Sequence, residues 1–150
     1  MGYTHYWYRR QEINRQAFAA IVADFQKLLP VIAAQGVKLA DGFGEGQAVA
    51  MDELITFNGS READEDYETF YFPPVQDEEG DRIFEFTKTA HRPYDIAVTA
   101  CLVIIKHHLG DEIQVKSDGD DSQWFDAKLM CQMELGYGLE LRMGQELAVA

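Results

Sequence analysis

The sequence predicts an α+β fold, a mostly antiparallel sheet packed with about three helices in a single globular domain over residues 1–150. Short runs rich in aromatic and β-branched residues are interrupted by three longer stretches whose apolar residues recur at helical spacing. No regular repeat and no Ser- or Pro-rich linker divides the chain. A length of 150 residues with 47% hydrophobic content supplies one core and too little chain for two.

Gly2 to Arg9 is rich in Tyr and Trp, which favour a pleated surface, and reads as the first strand. From Asn14, an N-cap residue, Ala17, Ile21, Phe25, Leu28 and Ile32 fall on one helical face, and Gly36 stands just past the end. Pro30 lacks a backbone donor, so this helix is expected to kink or stop near Leu29, with Val37 to Ala40 extended. Asp41 to Gly46 is glycine-rich but lacks phosphate-loop spacing, and it is expected to be a mobile turn.

Glu53 to Phe57 reads as a strand closed by Asn58-Gly59, and Glu68 to Phe72 as a strand ended by Pro73-Pro74. Arg82 to Thr87 alternates with period two, placing Arg82, Phe84 and Phe86 on one aromatic face. Pro93 opens a run, Ile96 to Leu109, that is apolar all round and stopped by Gly110, which predicts a central buried helix. Ile113 to Lys116 is a short strand. Ser117 to Ser122 is a turn with capping residues, and Trp124, Ala127, Cys131 and Leu135 mark a third helix ended by Gly136. Leu139 to Met143 alternates as an edge strand whose free side leaves room for a homodimer.

Thirteen basic residues face twenty-six acidic ones, a net charge of -13, so a broad phosphate-facing surface for direct nucleic-acid binding is not expected. The acidity is concentrated. Residues 62–81 hold nine acids and no base, and residues 111–126 hold six acids against Lys116 alone. The remainder is close to neutral, so an anionic small ligand is compatible with the net charge. These runs read as solvated loop surface or, alternatively, as mimicry of a nucleic-acid backbone. The opening lacks a signal-peptide pattern, and no apolar run is expected to approach the roughly 20 residues of a membrane span, which predicts a cytoplasmic protein without a membrane partner. Cys101 and Cys131 read as buried thiols.

The most informative segment is Lys88-Thr89-Ala90-His91-Arg92-Pro93-Tyr94-Asp95, between a predicted strand and a predicted helix. A helix start carries unpaired N–H groups and partial positive charge, so Lys88, Thr89 and Arg92 there form a candidate receiver for phosphate or carboxylate. Tyr6, Trp7 and Tyr8 cannot all face one side of a strand, so at least one ring points away from the others. If the first strand lies beside Arg82 to Thr87, His5 or Trp7 approaches the Lys88 end and can stack on a base. His107 and His108 are adjacent, about 100 degrees apart on a helix, which suits contact with the last helical carbonyls better than a shared metal. No metal set, cofactor motif or nucleophile signature is recognised.

On Met1-Gly2-Tyr3-Thr4-His5-Tyr6-Trp7, Phe57-Asn58-Gly59, Lys88 to Asp95, Lys106-His107-His108-Leu109-Gly110, Ser117-Asp118-Gly119 and Leu135-Gly136-Tyr137-Gly138, the chain resembles a family of small proteins common in phage, prophage and bacterial genomes. The resemblance spans nearly the whole chain and implies a phage setting, without implying a particular chemistry. His91 stands where the family pattern has a basic residue such as Arg or Lys.

The expected function is non-enzymatic binding of a small anionic, nucleotide-like ligand, as in a phage-encoded sponge for a host immune signal. Lys88, Thr89 and Arg92 would hold phosphate, His5 and Asn58 would supply hydrogen bonds, and Trp7 or Tyr94 would stack on the base. No catalytic residue, metal or cofactor is assigned. One alternative is a phosphoesterase or nucleotide hydrolase with His5 or His91 as acid or base. Another is an acidic inhibitor of a host nucleic-acid-binding protein.

Overall fold

The computed structural model describes residues 2–149; Met1 of the opening motif lies outside them. Thr4–Arg9 (β1) forms the middle of a three-stranded antiparallel sheet, between Ile83–Lys88 (β6) and Ile113–Ser117 (β7). Alternation along β1 turns His5, Trp7 and Arg9 inward, each at most 1% exposed, and leaves Tyr6 and Tyr8 on the outer face.

Arg15–Ala34 (α1) follows, with the Asn14 side chain accepting from the Ala17 N–H as the expected cap. Its buried stripe is Phe18, Ile21, Val22, Phe25, Leu28 and Ile32. The expected break at Pro30 does not occur, and the helix runs on to Ala34. Leu28 and Ile32, on either side of Pro30, are wholly buried, and their packing outweighs the missing backbone bond. Contrary to the expectation of no such run, this helix is long and apolar enough to cross a membrane by length and composition, with a mean hydropathy of 1.6. Its apolar stripe is instead part of the protein's own core.

Leu39–Ala40 (β2), Val49–Met51 (β3), Leu54–Gly59 (β4) and Phe70–Phe72 (β5) make a second antiparallel sheet, in which β4 pairs with each of the others. Asn58 and Gly59, expected to close the strand, lie within it, because Leu39 and Ala40 pair with them. The short β3 carries no alternation long enough to mark it in the sequence. Asp41 to Gly46 is a defined turn, in which the Asp41 carboxylate accepts the N–H groups of Phe43 and Glu45.

Asp95–Leu109 (α2) is the central helix, buried from Ala97 through Lys106 and stopped at Gly110, whose φ is 56°. Asp121–Leu135 (α3) begins with a capping box between Asp120 and Gln123 and ends at Gly136 in the left-handed region. Leu141–Met143 (β8) and Leu147–Val149 (β9) form a small C-terminal hairpin, so the alternating tail finds its partner within the chain. The α+β class therefore holds, with three α-helices and nine mostly antiparallel strands among the described residues. One continuous apolar cluster joins the helices to the inner faces of both sheets, and the Cys101 and Cys131 thiols are free and buried in it.

Candidate functional site

The first strand does lie beside the Arg82–Thr87 segment, with Thr4 opposite Lys88 and His5 opposite Thr87. Three segments far apart in sequence meet here: the opening strand, the Lys88–Asp95 turn and the Ser117–Gly119 turn. His5 is their hub. Ser117 Oγ accepts the Gly119 N–H at 2.8 Å and the Trp124 Nε1–H at 3.1 Å. With both lone pairs taken, its own proton goes to His5 Nδ1 at 2.8 Å, which assigns the imidazole N–H to Nε2. That N–H donates to Asp95 Oδ1 at 2.7 Å, and the Thr89 hydroxyl donates to the same oxygen at 2.6 Å.

The Ser117–His5–Asp95 line has the hydrogen-bond order of a nucleophilic triad. Its parts are spent on one another, however: His5 is 0% exposed and Ser117 Oγ is filled by two N–H donors. Around it, Tyr3 stacks on His91 with centroids 3.6 Å apart, and burial followed by the Asp95 charge pushes the Tyr3 phenol up to about 12. Ala90 and His91 both take positive φ, 53° and 60°, which turns the chain sharply between β6 and α2.

This geometry revises the expected anion receiver. Thr89 is buried and committed to Asp95, and Arg92 Nη1 donates to the Asp64 carbonyl at 2.6 Å. The N–H groups of Asp95, Ala97 and Val98 are already paired within the turn and first helical residues. Lys88 lies against Gly2, at the edge of the outer sheet face. Trp7 offers no ring to a base: it is 1% exposed, packs on Phe70 and Phe72, and donates its Nε1–H to Glu85. Tyr94 is wholly buried with its hydroxyl on the Glu68 carbonyl. Asn58 donates to Tyr67 O and Thr69 Oγ1 and accepts from the Gly59 and Tyr67 N–H groups, which fastens the loop between β4 and β5. The structure thus brings His5 and Thr89 together, through Asp95, and leaves Trp7, Asn58, Arg92 and Tyr94 engaged elsewhere.

His107 and His108 also depart from expectation. His108 Nε2 lies 2.8 Å from Asp24 Oδ2, and His107 stacks on Tyr137, because α1 and the chain after α3 approach the end of α2. Among the described residues no three His, Cys, Asp or Glu side chains are grouped to hold a metal ion.

The sequence placed Arg82, Phe84 and Phe86 on one aromatic face without giving it a role; that face is the outer side of the β6–β1–β7 sheet. Tyr6 stands opposite Phe86 and Lys116, and Tyr8 opposite Phe84 and Gln114. Phe84 is 47% exposed and Phe86 52%. The rings form a continuous ladder, with Tyr8–Phe84, Tyr6–Phe84 and Phe84–Phe86 centroids 5.1, 6.1 and 5.8 Å apart. Cations border it. The Arg82 guanidinium lies 4.1 Å and the Lys116 amine 5.9 Å from the Tyr8 ring centroid. The outward positions of the three strands carry no carboxylate, but acids rim the face: Asp118 Oδ1 accepts the Tyr6 hydroxyl at 3.1 Å, Glu146 accepts from Gln114, and Asp81, Asp111 and Glu112 lie around Tyr8 and Arg82. The signal was the period-two pattern of Phe84 and Phe86 together with Tyr6 and Tyr8, whose facing sense a sequence does not reveal.

A larger depression of about 640 Å3 lies between the Asp41–Gly46 turn and the end of β4. Its two bases, Lys38 and Arg61, are matched there by Glu45 and Glu62, so it has no electrostatic preference for an anion. In comparisons with known proteins, no protein-family model, curated protein or solved structure matches this chain.

Proposed function

We propose that the protein binds, without transforming it, a small nucleotide-like anion, and that the binding surface is the outer face of the β6–β1–β7 sheet. The observation that carries this reading is the ladder of half-buried Tyr6 and Tyr8 with exposed Phe84 and Phe86, beside Lys88, Lys116 and Arg82, in which the strand positions themselves carry no carboxylate. Aromatic rings stack on nucleobases, and neighbouring Lys and Arg side chains attract phosphate. The resemblance to phage-borne proteins is the ground for proposing a cytoplasmic setting in an infected host, and sequestration of a host signal is the role proposed within that setting. Binding is favoured over hydrolysis because the His5, Ser117 and Asp95 groups are buried or spent on one another.

The test is to incubate the purified protein with a bacterial nucleotide extract, wash it, release bound molecules by heat and identify them by mass spectrometry. An intact nucleotide retained by the wild type, and lost at least about tenfold in Tyr8→Ala or Lys116→Glu, is the expected result. Retention that survives both substitutions removes the face from the proposal. A chemically altered product replaces binding with catalysis, and failure to retain any nucleotide overturns the nucleotide reading.

A further inference from the structure

The sheet that carries the aromatic face also has an open edge. Lys88 donates its N–H to Glu68 Oε1 at 2.8 Å and accepts the Glu68 N–H on its carbonyl at 3.2 Å. Opposite it, Thr4 gives its own N–H and C=O to Asp118. Thr4 and Lys88 are therefore a pair that exchanges no backbone bonds. In an antiparallel ladder such pairs alternate with bonded ones, so Tyr6–Phe86 and Tyr8–Phe84 are unbonded too. The N–H and C=O groups of Phe84 and Phe86 consequently point away from β1. Among the described residues no strand pairs with that side of β6.

β6 contains no Pro and no bulge, and its one Lys is at the end already paired with Glu68; its single inward charge, Glu85, is held by Trp7 and Gln76. Beside it runs a groove of about 250 Å3 between β5 and β6, lined by Thr69, Tyr71, Phe84 and Phe86, with Trp7 and Thr87 deeper in. Tyr71 is 51% exposed. Thr87 Oγ1 is the one buried side-chain polar atom without a hydrogen-bond partner among the described residues, and Thr87 lines this groove. A buried hydroxyl in that state is costly unless something arrives to pair with it.

Charge identifies the occupant. Five acids, Glu62, Asp64, Glu65, Asp66 and Glu68, precede β5, and four more, Asp77, Glu78, Glu79 and Asp81, lie on the connection from β5 to β6. The groove lies between these two acidic ends, and the Glu85 carboxylate is part of its wall. A second copy of this chain would bring the same acids and a charge of -13, and a nucleic-acid strand would bring phosphates. We propose that the open edge of β6 receives an extended, basic segment of a partner polypeptide as an added strand, with alternate apolar side chains seated against Tyr71, Phe84 and Phe86. This binding mode uses the backbone edge of β6 and shares the Phe84 and Phe86 rings with the outer face, so peptide and nucleotide are expected to compete there.

Fluorescence anisotropy with a short labelled peptide of alternating lysine and valine tests it on the intact chain. Saturable binding is expected, weakened at least about tenfold by Tyr71→Ala and by raised salt. N-methylation of the peptide amides that would face β6 is expected to abolish binding, a readout that needs no change to the protein. Equal binding of the N-methylated peptide, or no binding of the parent peptide, overturns the proposal. So does a single-stranded oligonucleotide that binds tightly and is lost with Tyr71→Ala. A sedimenting dimer that Phe86→Pro dissociates assigns the edge to a second copy instead. Nucleotide retention measured on the same samples separates failure here from failure of the nucleotide reading.

Discussion

His5 and Asp95 are 90 residues apart in the chain and 2.7 Å apart in the fold, where one hydrogen bond ties the middle strand of the sheet to the start of the central helix. Because Ser117 holds the other ring nitrogen, three separate segments depend on a single imidazole that is 0% exposed. His5→Ala leaves the half-buried Asp95 carboxylate and Ser117 hydroxyl each short of one partner. It is expected to lower unfolding free energy by about 3 kcal/mol in urea titrations, and Ser117→Ala by about 1–2 kcal/mol. A loss below about 1 kcal/mol in His5→Ala would show that the network orients these segments without holding them.

Ala90 and His91 take left-handed conformations in succession, and adjacent substitutions there should act in opposite directions. Ala90→Gly relieves an unfavourable φ of 53° and is expected to raise stability by about 1 kcal/mol. His91→Ala keeps the strained backbone and loses the stack on Tyr3, which costs about 1 kcal/mol. Thermal unfolding of the two variants reads both signs directly.

A side chain at Gly119 would collide with the Tyr3 hydroxyl. Gly119→Ala is expected to cost about 2 kcal/mol through overpacking. Removing the obstructing oxygen with Tyr3→Phe should recover part of that loss, although the Tyr3 ring carbons remain close. A double-mutant cycle measures the coupling, and strictly additive losses would contradict the contact.

Asp24 gives the fold an acid limit. Burial alone would raise its carboxyl, but hydrogen bonds from Tyr137 at 2.6 Å and His108 at 2.8 Å, with the charges of His108 and Lys27, hold it below the ordinary value of 3.8. A carboxyl depressed in the folded state stabilises it fully above the unfolded pKa, and that contribution disappears as pH falls through the folded value. The difference in urea midpoint between wild type and Asp24→Asn is therefore expected to shrink as pH falls below about 4. A difference that stays constant into stronger acid would assign the effect to packing.

The three helices were legible because each carries its own punctuation: Asn14 and Gly36, Gly110, and the Asp120–Gln123 cap with Gly136. Pro30 misled because its local cost is visible in sequence, whereas the burial of Leu28 and Ile32 that offsets it is a tertiary fact. The same division runs through the site. The motif around Lys88 did mark a meeting place, and His5 and Thr89 do converge there. Asp95, the group on which they converge, read only as a helix-start residue, and Ser117 only as part of a turn. Strand alternation showed that Tyr6, Trp7 and Tyr8 cannot share one face, but which ring faced solvent depended on where the helices pack.

The position of β1 has a bearing on how the chain reaches this state. β1 precedes both of its neighbours in the chain yet is the middle strand of its sheet, and His5 meets Ser117, its partner in β7, only 112 residues later. During synthesis a segment containing Tyr3, Tyr6, Trp7 and Tyr8 emerges long before either flanking strand exists. Such distant pairing slows folding and leaves aromatic surface uncovered in the meantime. Nascent chains truncated before β7 should therefore be aggregation-prone and dependent on chaperones, while α1 can already form beside them.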